Sequence, residues 1–329
     1  MKRLFSILAL TGLLIMLASG GSEAAAYRMK IASVGSEQHP STPALHEFKK
    51  YVEEKSGGRI QVSLHINASL GGDRQATEAM QLGTLEAGII GSSILATFEP
   101  KFNIFEFPFL FKDDATAKKL IDGEVGEMLG KELLKQDLRV IGYGVNGFRH
   151  ITNNRNAVTK PADLRGIKIR TMENPIHIAT FKAFGANPTP MNFGELYTAL
   201  SQKTVDAQEN PINLIYTSKF YEVQKYLSMT GHLYAVAPLV TSELFFGKLP
   251  KDLQKVVSDA GVVYRDMQRR LTIQEEEKMI ADLKKSGMSI NELSASEKAE
   301  FQKLAQPIYA QFESRVGKEL LDKVAAANK

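Results

Sequence analysis

The sequence predicts an α/β protein of two domains, and three observations lead to that prediction. The chain has 329 residues, which is enough for two domains of ordinary size. Hydrophobic residues make up 43% and charged residues 24% of the chain, as in typical globular proteins. Segments with strand-like alternation repeatedly precede segments with helical spacing, and such repeats favour parallel strands with helices on both faces of the sheet.

The first half of the chain alternates strands and helices. Residues 28–34 alternate polar and apolar side chains, and the next segment carries Leu45, Phe48 and Val52 at helical spacing before Gly57 ends it. In chain order, the predicted elements are a strand at 28–34, a helix at 42–55, a strand at 59–66, a helix at 73–82, a strand at 85–90, a helix at 115–135 and a strand at 138–143.

The pattern starts again after Arg149, so we place the junction of the two domains near residues 145–150. The second domain is expected to hold a strand at 167–170 and helices at 175–184 and 193–202. Asn192 and Glu195 have the spacing of a capping box, which makes the start of the last helix the best defined boundary.

Residues 250–286 have nearly continuous helical character, with Leu253, Val257 and Ala260 on one apolar face and Gly287 as the stop. At 1.5 Å per residue this helix would be about 55 Å long, which exceeds the width of a small domain. The helix therefore either breaks, with Gly261 as the candidate position, or braces both domains.

The N-terminal segment has the layout of a secretory signal peptide. Lys2 and Arg3 precede an apolar run at 4–18, and small residues lead to Ala26, where we expect cleavage. The alternative is a membrane anchor, but a spanning helix needs about 20 strongly apolar residues. Residues 1–26 are thus predicted to be removed on export.

Composition excludes several classes of protein. Cysteine is absent, so disulfides, thiolate metal sites and cysteine nucleophiles are impossible. The formal charge of +4 arises from 41 basic and 37 acidic residues mixed along the chain, which does not indicate nucleic-acid binding. The six histidines have no metal-ligand spacing. We predict no metal, no cofactor and no catalytic residue.

One apparent nucleotide-binding motif fails in context. Residues 142–147 fit GxGxxG and follow a predicted strand. The next residues, 148–154, continue in extended character, so no helix N-terminus is available for a pyrophosphate.

Four ordered motifs between residues 147 and 211 are informative. They are GFRH at 147–150, GIKIRTMENP at 166–175, GANPTPMNFGELYTAL at 185–200 and VDAQENP at 205–211, with KFYEVQKYL following at 219–227. Together they closely resemble the solute-binding proteins of TRAP (tripartite ATP-independent periplasmic) transporters. The resemblance extends more weakly over the whole mature chain.

This resemblance implies the two-lobed fold of periplasmic binding proteins, in which each lobe is a mixed sheet flanked by helices and a long helix braces both lobes. Residues 27–147 with about 236–275 would form lobe I, and residues 148–235 with about 276–329 would form lobe II. The implied protein is a periplasmic monomer that captures a small carboxylate in the cleft between the lobes and delivers it unaltered to TRAP permease membrane subunits. A ligand sensor that presents its closed form to a receptor is the alternative, and an enzyme on the same scaffold is a third possibility.

The resemblance also assigns the principal ligand contacts. Arg170 falls on the arginine that clamps the ligand carboxylate, Arg149 on a second ligand-facing arginine, and Asn210 on an asparagine that bonds the ligand. Arg170 ends a short apolar strand, where ligands bind in α/β sheets, and a guanidinium grips a carboxylate through two parallel hydrogen bonds. By position alone, Arg170 could equally be a surface arginine paired with an acid.

Further contacts follow from position along the resemblance, and each has a structural alternative. Asp73 could instead cap a helix, His39 could shape its loop before Pro40, and Phe193 could belong to the core rather than form an apolar wall. The aromatic run 102–111 is interpreted as packing or a docking face rather than a ligand cage. The full set of further candidates is Gln38, His39, Asp73, Ser92, Asn146, Met172 and Phe193.

The ligand class is the least determined feature. Two arginines call for a carboxylate, and the surrounding polar residues suggest hydroxyl groups elsewhere on the ligand. We therefore expect a sugar acid such as a uronate or aldonate, in preference to a dicarboxylate or keto acid. Gly91 departs from the pattern, because some relatives carry an acidic contact residue there.

Overall fold

The computed structural model describes residues 26–328. The predicted signal peptide, except for Ala26, lies outside these residues. Within them, no helix has the length and apolar character needed to cross a membrane. The strands are β1 (Tyr27–Ala32), β2 (Ile60–His65), β3 (Ala87–Ile89), β4 (Leu138–Asn153), β5 (Lys168–Thr171), β6 (Asn187–Pro190), β7 (Ala207–Pro211), β8 (Tyr226–Ser242) and β9 (Ser289–Glu292).

Helices connect and cover these strands. They are α1 (Ser41–Lys55), α2 (Asp73–Gln81), α3 (Ser92–Leu95), α4 (Asp114–Asp122), α5 (Glu124–Leu134), α6 (Pro175–Ala183), α7 (Phe193–Ser201), α8 (Ile212–Thr217), α9 (Glu243–Phe246), α10 (Lys251–Lys285), α11 (Ala295–Val316) and α12 (Lys318–Ala327). Short 3₁₀ helices occupy Pro100–Glu106, Pro161–Leu164 and Phe220–Glu222.

The strands of residues 26–328 form one mixed sheet with the order β2-β1-β3-β8-β4-β7-β5-β6, and β9 adds to β8. The β1–β2, β1–β3, β5–β6 and β5–β7 pairs are parallel, as the alternating pattern predicts. The centre of the sheet is different, because β8 runs antiparallel to both β3 and β4, and β4 runs antiparallel to β7. The mixed sheet that the family resemblance implies is therefore confirmed, whereas the alternating pattern by itself indicated only the parallel pairs.

Two long strands make this centre. β4 has 16 residues and β8 has 17, and their pairing shifts register between Val145 and Gly147 and again between Arg149 and Ile151. The predicted strand 138–143 thus continues to Asn153, through the region where we placed the domain junction. The predicted junction falls in a bulged pair of strands, in which each β-bulge bends the strand and increases its twist.

Hydrophobic clusters lie on both sides of this junction. One cluster packs α1, β1, β2 and the first half of α10, and two others pack residues of β5, α6, α7 and β7. The ends of α11 and α12 pack instead with the cluster around the 3₁₀ helix Pro100–Glu106. The division into two lobes stays a proposal, and α11 contacts both α6 of the proposed lobe II and the 3₁₀ helix of the proposed lobe I. The run 102–111 contributes mainly to the same cluster, so its interpretation as packing is confirmed.

Two helix predictions need adjustment. The predicted helix 115–135 is two helices, α4 and α5, because Gly123 between them is extended (φ −99°, ψ −154°). The start of α7 is as predicted, but the cap bond comes from the Gly194 amide to Asn192 Oδ1 at 3.0 Å. The Asn192 amide nitrogen meanwhile donates to Gln75 Oε1 at 3.2 Å.

Helix α10 is unbroken over 35 residues. It packs against α1, β4 and α8, so the bracing alternative is the one that the structure adopts. Gly261 is a close contact rather than a break, because a Cβ atom on it would lie 1.9 Å from the Ile141 carbonyl oxygen of β4.

We expect Gly261→Ala to lower the free energy of unfolding by about 1–3 kcal/mol, the usual cost of overpacking. The methyl group would meet backbone, which cannot rotate away, and this outweighs the better helix propensity of alanine. Gly130→Ala in α5 is the matched control, because the nearest atom to its new Cβ would be 3.9 Å away. Urea unfolding measures both, and equal stability of the two variants would show that the α10–β4 contact is not tight.

Candidate functional site

A cleft opens where the carboxyl ends of several strands meet. Segments following β1 and β3 line one side of it, and residues from β4, β5 and β7 line the other. Its empty space, counted to the open mouth, is about 660 Å³. All of the predicted ligand contacts except Gln38 line this cleft.

Arg170 is held in one orientation at the end of β5. Its side chain is 2% exposed, and its Nε and Nη2 atoms donate to the Met191 carbonyl oxygen at 2.9 and 2.6 Å. Nη1 is buried and has no hydrogen-bond partner. The Nε edge of the guanidinium is thus occupied by backbone, and the Nη1 end remains for a carboxylate.

Burial lowers the pKa of Arg170 to about 10, so the side chain is still a cation at neutral pH. The Phe193 ring centroid lies 5.9 Å from Arg170 Cζ, at the outer limit of a cation–π contact. Phe193 also packs on Phe220, with ring centroids 6.0 Å apart. It therefore belongs to both the cleft wall and the packing behind it.

Arg149 is committed to an internal ion pair. Its Nε and Nη2 atoms donate to the two carboxylate oxygens of Glu209 at 2.5 and 2.7 Å, and Glu209 is fully buried in β7. Nη2 also donates to Asn210 Oδ1 at 3.2 Å. Antiparallel pairing of β4 with β7 brings these side chains together.

The Glu209 carboxylate is ionised despite its burial. Burial opposes ionisation, but the Arg149 charge and the hydrogen bonds it receives hold the pKa of Glu209 well below its usual value. His232 Nε2 lies 3.2 Å from the same carboxylate. This pair largely neutralises Arg149 inside the protein.

A second charged chain lies behind the cleft. Ser92 donates to Glu106 Oε1 at 2.6 Å, and Glu106 Oε2 lies 2.7 Å from His177 Nε2. Burial opposes protonation of His177, but hydrogen bonding and the charges of Glu106 and Glu209 raise its pKa. Glu106 therefore has a buried hydrogen-bond partner in His177, whose protonated form its charge favours.

Two buried polar atoms without partners point to further ligand contacts. The ring of His39 accepts the Ser41 amide at Nδ1, 3.2 Å away, and its Nε2 has no partner. Burial lowers the pKa of His39 to about 4, so the neutral ring presents an Nε2–H donor. Asn146 Oδ1 is an acceptor that also lacks a partner.

Asp73 is the first residue of α2, but its side chain does not cap the helix. Gly72 occupies the cap position, and Asp73 Oδ2 accepts a 2.9 Å hydrogen bond from the Gly91 amide. Burial raises the pKa of Asp73 to about 6. The alternative role as a helix cap is therefore wrong.

The remaining candidates divide between cleft and surface. Met172 lines the cleft, with its sulfur 2.9 Å from Ser93 Oγ. Gln38 is exposed and lies outside the cleft. The chain turns between Gln38 and His39, so the histidine side chain is buried in the cleft lining while Gln38 points away from it.

Sequence reasoning missed Glu209, Glu106 and His177. Glu209 lies inside one of the quoted motifs, next to Asn210, and a charged residue in a short strand was an available signal. Glu106 and His177 are 71 residues apart and gave no local signal. His232 likewise has no local partner except Thr230, whose Oγ1 lies 2.7 Å from its Nδ1.

Comparison with known proteins agrees with this geometry. A family model described as bacterial extracellular solute-binding protein, family 7, matches residues 31–315. The 2,3-diketo-L-gulonate-binding periplasmic protein of Escherichia coli (strain K12) is 38% identical over 247 residues, which are 75% of this chain and 75% of that protein.

Solved structures show the same fold. A TRAP periplasmic solute-binding protein from Polaromonas sp. JS666, bound to D-erythronate, matches with a TM-score of 0.88 and 37% identity, covering 91% of this chain and 98% of that one. Another from Sulfurospirillum deleyianum DSM 6946, with bound succinate, matches with a TM-score of 0.88 and 33% identity, covering 92% and 99%. The resemblance read from the motifs and the two-lobed fold with its long helix are both confirmed.

Proposed function

Since the chain belongs to the bacterial extracellular solute-binding proteins of family 7, the solute-binding proteins of TRAP transporters, we propose that it captures a small carboxylate in the cleft and delivers it to the membrane subunits of a TRAP permease. One observation carries the carboxylate assignment. Arg170 is buried, positively charged and fixed by the Met191 carbonyl, yet its Nη1 atom has no partner. A buried donor left unsatisfied is costly, and a ligand carboxylate would satisfy it.

A sugar acid fits the rest of the cleft better than a plain dicarboxylate or keto acid. Arg149 is neutralised by Glu209, so it does not offer a second free cation for a second carboxylate. The unpartnered His39 Nε2–H and Asn146 Oδ1 are a donor and an acceptor, the pair that a hydroxyl group can satisfy. Among the relatives, one is named for 2,3-diketo-L-gulonate, another binds D-erythronate and a third binds the dicarboxylate succinate, so the preference for a sugar acid rests on the cleft itself.

The cellular setting follows from the family. Its members are periplasmic transport proteins that bind solutes rather than convert them. We propose that this chain is exported, loses residues 1–26 and acts as a monomer that releases its ligand unaltered to the permease.

A thermal-shift experiment tests carboxylate capture. We expect D-erythronate, D-galactonate or a uronate to stabilise the purified protein, because a ligand at 100 times its dissociation constant adds about 2.7 kcal/mol. The matched controls are the corresponding alditols erythritol and galactitol, which keep the hydroxyl groups but lack the carboxylate. Equal shifts with acid and alditol, or no shift with any sugar acid, dicarboxylate or keto acid, would contradict the proposal.

A further inference from the structure

The charged residues that line the cleft differ in whether they have ionic partners. These residues are Asp73, Glu106, Arg149 and Arg170. Arg149 is paired with Glu209, and Glu106 is paired with His177. Within residues 26–328, neither Arg170 nor Asp73 has an oppositely charged side-chain atom within 4.0 Å. Arg170 and Asp73 are therefore the charged lining residues that have no such partner.

Gly91, which contacts Asp73, has no side chain that could shield the Asp73 carboxylate from a ligand. One carboxylate oxygen accepts the Gly91 amide at 2.9 Å, and the other has no protein hydrogen bond within the described residues. A Cβ atom at Gly91 would lie 3.3 Å from Asp73 Oδ2 and 3.5 Å from Met172 Cε. The glycine thus keeps a side chain away from the acid, and the acid can face the ligand.

We propose that Asp73 is a specificity-determining residue that restricts the ligand to one carboxylate: it accepts a hydrogen bond from a ligand hydroxyl and disfavours a second carboxylate in the cleft. The inference rests on the proposed capture of a carboxylate by Arg170. An unpaired carboxylate is an acceptor without a proton to donate, so it binds a hydroxyl group and repels an anion. A ligand with one carboxylate neutralises Arg170, whereas a second carboxylate adds a charge for which the cleft has no free cation.

The titration of Asp73 gives the inference a pH dependence. Burial raises the pKa of Asp73 to about 6, while the Gly91 amide and the Arg170 charge oppose this. Above that pH the residue is an anion, and below it the neutral acid no longer repels a carboxylate. Discrimination against a second carboxylate should therefore be strongest in alkaline solution and weaken as the pH falls. The other charged groups around the same site are Arg74 on α2, Arg149 on β4, Arg170 on β5, Glu173 after β5 and Glu106 on the 3₁₀ helix.

Pairs of ligands that differ only in a second carboxylate measure the effect of that group on affinity. D-Galactonate and galactarate differ only in the terminal group, as do D-erythronate and meso-tartrate. Calorimetry at about pH 8, well above the usual carboxyl range, should show the wild-type protein binding the monocarboxylate of a pair about tenfold or more tightly than the dicarboxylate. Asp73→Asn keeps an acceptor for the Gly91 amide, and we expect it to reduce that ratio about tenfold.

Glu78→Gln is the control for net charge. Glu78 is an exposed residue of α2, the helix that Asp73 begins, and does not line the cleft. Loss of this charge should change the ratio of monocarboxylate to dicarboxylate affinity by no more than about twofold, because exposed charges are well screened. A change equal to that of Asp73→Asn would overturn the inference, since any acid in the region would then act alike.

Two further outcomes separate this inference from the proposed function. A wild-type protein that binds both members of a pair equally, or prefers the dicarboxylate, overturns the role of Asp73 while carboxylate capture stands, and this holds even if Asp73→Asn fails to fold. A wild-type protein that binds no sugar acid or dicarboxylate overturns both. The ratio of wild-type to Asp73→Asn affinity for galactarate, followed down to about pH 5, cancels protonation of the ligand itself. A ratio that stays constant over this range would contradict the assignment to Asp73.

Discussion

Replacing Arg170 with lysine should weaken the binding of a carboxylate ligand by about 2–4 kcal/mol, because the buried charge pair would lose its two-pronged hydrogen bonding. The variant keeps the positive charge but loses the planar guanidinium. In the wild-type protein, Nε and Nη2 donate to the Met191 carbonyl oxygen, while the buried Nη1 has no partner. A lysine ammonium is a single centre, so it cannot bind the carbonyl and offer a parallel pair of donors to a carboxylate.

Isothermal titration calorimetry on the folded variant measures this loss. Arg74→Lys is the matched control, because Arg74 is an arginine at the edge of the same region that does not line the cleft and lies 3.9 Å from Glu173. We expect its affinity to stay within about 0.5 kcal/mol of wild type, the range of most surface substitutions. A folded Arg170→Lys protein with unchanged affinity would remove Arg170 from the ligand site.

The position of Arg170 could be predicted because local pattern and resemblance pointed to the same place. The segment 167–170 has the apolar alternation of a short strand, and β5 occupies Lys168–Thr171 in the structure. Helices with clear periodicity, such as 42–55 and 250–286, were also placed within a residue or so of their observed ends. Short-range periodicity is set by the backbone repeat itself, so one sequence is enough to read it.

The centre of the sheet could not be read in the same way. β4 carries glycines at 142, 144 and 147 and shifts register against β8, so its side chains do not keep one strict alternation. β8 was not predicted at all, because most of its residues are buried whether polar or apolar and the rest are partly buried. A strand covered on both faces has lost the alternating pattern that marks a half-exposed strand.

The ion pairs and hydrogen bonds that set the charge of the site could not be predicted from the sequence either. Arg149 looked like a second free cation, but its partner Glu209 is 60 residues away, and which acid meets which base depends on strand register. The Ser41 amide, 3.2 Å from His39 Nδ1, determines which ring nitrogen of neutral His39 carries the proton, and the geometry of the loop makes this contact. Such pairings change the charge that the cleft presents to a ligand without changing the residues that line it.

Glu209→Gln should lower the free energy of unfolding by about 3–5 kcal/mol, as expected when one member of a buried ion pair is removed. Arg149 would stay buried with no countercharge. The substitution preserves size, but an amide has only one acceptor oxygen, and its NH₂ group would face an Arg149 N–H donor that now meets a carboxylate oxygen at 2.5 or 2.7 Å. His232, 3.2 Å from the same carboxylate, would lose its partner or compete for the remaining oxygen.

Chemical denaturation near neutral pH measures this effect, and Glu243→Gln is its control. Arg139 donates to Glu243 at 2.6 and 2.8 Å in the same two-pronged geometry, but these side chains are 32% and 30% exposed, so the expected cost is at most about 1 kcal/mol. Because the folded protein holds the pKa of Glu209 below its usual value, the stability it contributes is present above the ordinary glutamate pKa and is lost as the pH falls below it. The gap between wild type and Glu209→Gln should therefore narrow in acid. Equal small losses for the two variants, or a gap that widens in acid, would mean that the Arg149–Glu209 pair does not stabilise the fold as a buried pair.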